Sequence, residues 1–261
     1  MSLMKAPGEI ERRIANALGV LERFSDEVVE IVNSIRVDDL VDGGLNPYLL
    51  VSMGVRDFRD IAYLFVHKRV VKSLETSFGY VLEEFLREVL GGKSGKDHEE
   101  CRSSRGKSWI CWWDIVLEGE YEERGIKFRG RVISVKSGSA NVSKETLEDF
   151  AQRAAEAERH GYRSYLALMY GKRVFNVIGV LKSSLKSAGA RWEDPGDYVL
   201  VGRRVYEVLL GYDVYEYVMQ KAIEIGVRMN FRDLIEKKIN EILLELNKRF
   251  NNVNELLTEM A

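Results

Sequence analysis

Several absences narrow the reading of this chain before any motif is considered. Only three prolines and two glutamines occur in 261 residues, and no stretch has the biased composition of a linker or low-complexity segment. That fits a compact chain and argues against modules on a flexible string. No apolar run approaches the roughly 18 residues that a membrane span requires. No signal-peptide or lipidation pattern stands out either. The expected location is therefore the cytoplasm, with no membrane partner. Three scattered histidines, His67, His98 and His160, argue against a histidine-based metal centre. Cys101 and Cys111 have no histidine cluster near them, so zinc lacks ligands; two ordinary thiols are expected, with a disulfide as the alternative. A net charge of −2 excludes a globally basic nucleic-acid binder, although a local basic cleft is compatible with it.

Hydrophobic periodicity supplies the elements. Residues 9–35 carry Ile14, Ala17, Leu18, Leu21, Val28 and Ile31 at helical spacing. Gly43-Gly44 and Asn46-Pro47 break that pattern, which returns from Asp57 to Leu90 and stops at Gly91-Gly92. A polar loop of about 18 residues follows, a length that marks functional or mobile segments. "WICWWDIVLE" and "IKFRGRVISVK" then read as paired strands, and Ser143 can cap a helix that ends at Gly161. "YRSYLALMYG" reads as a third strand and "VFNVIGVL" as a fourth. Helices are expected again over 203–217 and 230–250. The expected fold class is α/β (α+β): a mixed sheet flanked by helices, with helical additions at both ends. One domain is expected, with a helical region at 1–55, a catalytic core at 56–182 and a mainly helical region at 183–261.

Two strand positions bear on chemistry. Asp114 interrupts an apolar run, and a carboxylate there is costly to bury without a cation. On the next strand, alternation places Ser134 and Lys136 on one face. An acid on one strand and an acid-x-Lys triplet on the next form the geometry of a metal-dependent nuclease, in which the lysine activates water and stabilises charge on phosphorus. Here the triplet is Ser134-Val135-Lys136, so a second carboxylate must come from elsewhere. Glu75, Gly79 and Glu83 share a face of the preceding helix. A helix-interior glycine costs about 1 kcal/mol relative to alanine, which a close neighbour at Gly79 would explain. Glu83 is the first choice for the missing acid and Glu75 the second. Oxygen ligands of this kind suit Mg2+, with Mn2+ as a substitute.

These residues, in this order, resemble the PD-(D/E)XK nuclease superfamily. More narrowly, "WWDIVLE…GRVISVKSGSANVSKETLEDF" is similar to a family of type II restriction endonucleases whose core strand reads close to "VSIKSGPNWGN". "NPYLL" and "ETSFGYVLEEF" before the core, and "PGDYVLVGRRVYEVLLG" after it, extend the similarity over about Asn46–Glu224. The chain departs at Ser139-Ala140, where that family tends toward Pro-Asn. The resemblance implies a restriction-endonuclease-like core and Mg2+-dependent hydrolysis of double-stranded DNA at a short sequence. Carried over by position, Asp114 and Lys136 are catalytic, Glu83 is the helix glutamate, and Ser137 and Asn141 are the polar residues after the lysine.

DNA phosphates need cations. The loop offers Lys93, Lys96, Arg102, Arg105 and Lys107, and the hairpin offers Arg124, Lys127, Arg129 and Arg131. Lys107, Arg129 and Arg131 are taken as DNA contacts with Ser137 and Asn141. A homodimer is expected for cutting both strands, and a cognate DNA methyltransferase for protecting the host without direct contact. The alternatives are a structure-specific repair or junction nuclease, and an inactive DNA-binding module that the serine at 134 would explain.

Overall fold

The computed structural model describes residues 7–138, 142–171, 175–211 and 213–260. Contacts divide the chain into two compact units: Met1–Val20 with Gly79–Lys221, and Leu21–Phe78 with Ala222–Ala261. The boundaries expected near 55 and 182 coincide with the limits of neither unit. Three helices, α1 (Pro7–Ser34), α4 (Phe58–Leu90) and α9 (Tyr215–Met229), carry the chain from one unit into the other.

The second unit is helical. Besides its parts of those three helices it holds the single turn α2 (Val37–Asp39), α3 (Pro47–Ser52), α10 (Phe231–Arg249) and α11 (Val253–Glu259). Asn46 caps α3 by accepting from the Tyr48 and Leu49 N–H groups, with Pro47 at the first helical position, where its missing N–H costs nothing. Val32, Leu40, Ile61, Phe65, Ile242 and Leu246 form the centre of its core.

The first unit holds the sheet. Its strands are β1 (Ile115–Glu123), β2 (Ile126–Gly138), β3 (Tyr162–Tyr170) and β4 (Val199–Val201), in the order β1-β2-β3-β4. β1 and β2 form an antiparallel hairpin, while β2–β3 and β3–β4 are parallel. α5 (Glu99–Ser103) precedes the hairpin, α6 (Lys144–Arg159) links β2 to β3, α7 (Phe175–Ala188) follows β3, and α8 (Arg203–Leu210) follows β4. Val132, Leu166 and Leu168 of the sheet share a core with Leu147, Phe150 and Ala151 of α6 and Leu181 and Leu185 of α7. The fold is thus a mixed sheet flanked by helices, with helical additions at both ends.

Local chemistry explains the boundaries. The Ser143 hydroxyl accepts from the Thr146 N–H at 3.1 Å and starts α6. Gly161, at φ +81°, turns the chain out of it into β3. One expected strand is helical in its first part, and another opens a helix instead. Trp109–Trp112 is a 3-10 turn, so β1 begins only at Ile115 and Asp114 stands just before the strand. "VFNVIGVL" opens α7, and the fourth strand is the three-residue β4. A short apolar run does not distinguish strand from buried helix by period alone. Among the described residues no helix is long and apolar enough to cross a membrane.

Candidate active site

β1 begins at Ile115, which pairs with Ile133. From Ser134 onward the outer edge of β2 therefore has no strand beside it. Asp114 fills that gap with its side chain: Oδ2 accepts from the Val135 N–H at 2.6 Å and from the Ser134 hydroxyl at 3.2 Å. An edge N–H that the ladder leaves unpaired is satisfied by a carboxylate, and the carboxylate is fixed in orientation. Backbone N–H and C=O of one strand residue point to the same edge, so the Val135 carbonyl faces this gap too. Ser134, 2% exposed, is an orienting group for Asp114 and not a ligand in its own right.

Glu83 comes to the same place from α4. Its Oε1 lies 3.4 Å from the Arg87 guanidinium one turn on. Burial and the nearby Asp114 charge hold its carboxyl above the usual range, against the opposing pull of Arg87, Lys136 and Lys96. A Glu83 carboxyl raised by the Asp114 charge, with Lys136 acting on it as well, favours an added cation. Glu75 lies two turns earlier on α4, exposed and within the second unit, and is not among the charges acting on Glu83. Gly79 was expected to admit a close neighbour, but nothing lies within 4 Å of a Cβ built there.

The donor set suits a hard divalent cation: two carboxylates and a strand-edge carbonyl, with water completing the shell, as Mg2+ commonly retains it. Among the described residues no group of three or more histidine, cysteine, aspartate or glutamate side chains gathers as a metal cluster. The histidines are engaged elsewhere: His98 Nε2 bonds Glu118 at 2.8 Å, His160 stacks on Trp109, and His67 lies against Tyr63.

The DNA-contact candidates fare unevenly. The Arg131 guanidinium turns inward, donating to the Leu209 carbonyl at 3.0 Å and lying over the Tyr121 ring, and burial lowers its pKa. It is a structural group and is withdrawn as a phosphate contact. Arg129 is exposed, but it lies seven residues before Lys136 on β2, about 23 Å along the strand and on the opposite face. Ser137 is half-buried on the face opposite Lys136, and Lys107 is exposed in the turn after α5. Asn141 lies outside the described residues. Arg102 pairs with Asp97, and Arg124 with Asp197.

Two features differ from the reading of the sequence. Cys101 and Cys111, expected as thiols with a disulfide as the alternative, form the disulfide. With α5 and the 3-10 turns Gly95–Asp97 and Trp109–Trp112, it orders the polar loop whose length marked it as functional or mobile. Arg163, 0% exposed, bonds Glu123 and the Asp197 carbonyl among the rings of Tyr165, Trp192 and Tyr198. It is a satisfied structural cation, which no local pattern announces.

The sequence matches no protein-family model and no curated protein.

Proposed function

We propose that the chain is a metal-dependent endodeoxyribonuclease of the type II restriction kind, hydrolysing phosphodiesters of double-stranded DNA at a short sequence. The observation that carries this reading is Asp114, clamped by Val135 N–H and Ser134 Oγ at the strand that presents Lys136, with its charge acting on the Glu83 carboxyl of α4.

Asp114, Glu83 and the Val135 carbonyl would hold Mg2+, or Mn2+ in its place. Such a cation supplies Lewis-acid polarisation of the phosphate and a more acidic water. Lys136 orients the attacking water and offsets the negative charge that grows on the phosphate oxygens. The water oxygen bonds to phosphorus and releases a proton to solvent, the bond from phosphorus to the leaving oxygen breaks, and that oxygen takes up a proton from solvent. Ser134 and the Val135 N–H keep Asp114 in place through the cycle.

Cutting both strands of a palindromic site is simplest for a two-fold homodimer, one site per strand. A cognate DNA methyltransferase would protect the same sequence without touching this chain. The test is digestion of a long, sequence-diverse DNA with Mg2+. Discrete fragments support the restriction reading. Cutting confined to branched substrates would favour a repair or junction nuclease, and folded protein that leaves every DNA intact would favour an inactive binding module.

A further inference from the structure

We infer that Lys96 is a second phosphate-binding cation of this site, placed beside Asp114 to grip the DNA backbone next to Lys136. The inference rests on the nuclease reading and deepens it.

The backbone carries the argument. After α4, residues Lys93–Gly95 run along the free edge of β1. The Lys93 N–H donates to the Val116 carbonyl at 3.0 Å, the Val116 N–H donates back to the Lys93 carbonyl at 2.7 Å, and the Gly95 N–H donates to the Trp113 carbonyl at 2.9 Å. Gly95 is buried, and a Cβ there would collide with the carbonyl oxygens of Ile110 and Trp113. Only glycine lets the segment approach so closely. The bond to Trp113 fixes the chain one residue from Asp114 on one side and one residue from Lys96 on the other. The Ser94 hydroxyl accepts from the Lys96 N–H at 3.4 Å and sets the turn.

The side chain is left available. Lys96 is exposed and its ammonium makes no ion pair or hydrogen bond among the described residues, whereas Arg102 on the same loop is engaged with Asp97 and Arg87 with Glu83. Its charge also acts on the Glu83 carboxyl, less than those of Arg87 and Lys136 do. Once a divalent cation neutralises Asp114 and Glu83, Lys96 and Lys136 leave the site with an excess of positive charge. A phosphodiester backbone complements that excess, and each contact to it releases condensed counterions.

The experiment is an anisotropy titration of a labelled pool of random-sequence duplexes in Ca2+ at several salt concentrations, with Mn2+ calorimetry in parallel. For Lys96→Ala we expect weaker binding whose log K against log salt is shallower than wild type by about 0.9, the loss of one phosphate contact. Lys96→Arg should restore the slope, and Mn2+ affinity of Lys96→Ala should be no weaker than wild type. An unchanged slope overturns the inference about Lys96. So does a loss of Mn2+ binding in Lys96→Ala, which would mean that the lysine acts by shaping the metal site. The nuclease reading is judged separately in the same experiment: it falls if the wild type binds no duplex or if Asp114→Asn binds Mn2+ as the wild type does. A wild type that binds no duplex overturns both.

Discussion

Ser134 donates its hydroxyl to Asp114 across 3.2 Å, from the first position of the Ser134-Val135-Lys136 triplet. The serine carries no charge of its own to that position and acts by aligning the neighbouring carboxylate. Ser134→Ala should preserve the fold at a cost of about 1 kcal/mol. It should also weaken Mn2+ binding at least about 10-fold, as the loss of a partner that orients a metal ligand generally does. Thermal unfolding and calorimetry read the two effects. Unaltered metal affinity would mean that Val135 N–H alone fixes Asp114.

Glu83 and Glu75 make separable predictions. Glu83→Gln should abolish Mn2+ binding and DNA cleavage, while Glu75→Gln, exposed and outside the charges around the site, should keep both within about two-fold of wild type. The reverse result would assign the second acid to Glu75.

The Glu83 carboxyl also predicts a pH dependence. Burial and Asp114 raise its pKa above 4.5, so the folded chain retains a proton that the unfolded chain has lost. Between the two pKa values the native state binds more protons, and its stability falls as pH rises. Subtracting the Glu83→Gln unfolding free energy from that of wild type, in EDTA, isolates this contribution. The difference should decline as pH rises from 4.5 and then level off; a difference that grows over this window contradicts the assigned environment.

The Cys101–Cys111 disulfide closes a short loop immediately before Asp114. Replacing both cysteines with serine should cost about 2–3 kcal/mol, from the freed loop entropy of the unfolded chain. Denaturant unfolding with and without a reductant measures it. Identical midpoints in the two conditions would show that the bond contributes nothing.

What the sequence made legible follows from what is local. The alternation of β2 that presents Ser134 and Lys136, the Ser143 cap of α6 and the helix over Phe231–Arg249 all follow from short-range pattern. The candidates Asp114, Glu83 and Lys136 could be named because a carboxylate in an apolar run and a lysine at a strand end stand out. The rest depends on tertiary context. "VFNVIGVL" suits a strand or a helix equally well until its neighbours are known. Arg131 resembles an exposed hairpin cation, yet α8 offers it the Leu209 carbonyl. The role of Ser134 depends on the late start of β1 at Ile115, which leaves Asp114 facing the Val135 N–H.

The most direct test of the central claim is Mg2+-dependent cleavage of a bacteriophage genomic DNA by wild type, Asp114→Asn and Lys136→Ala, each verified as folded. Wild type should give fragments that vanish with EDTA, and both variants should cut at least about 100-fold more slowly. Cleavage that persists in EDTA, or variants that cut as fast as wild type, would contradict the site described by Asp114, Glu83 and Lys136.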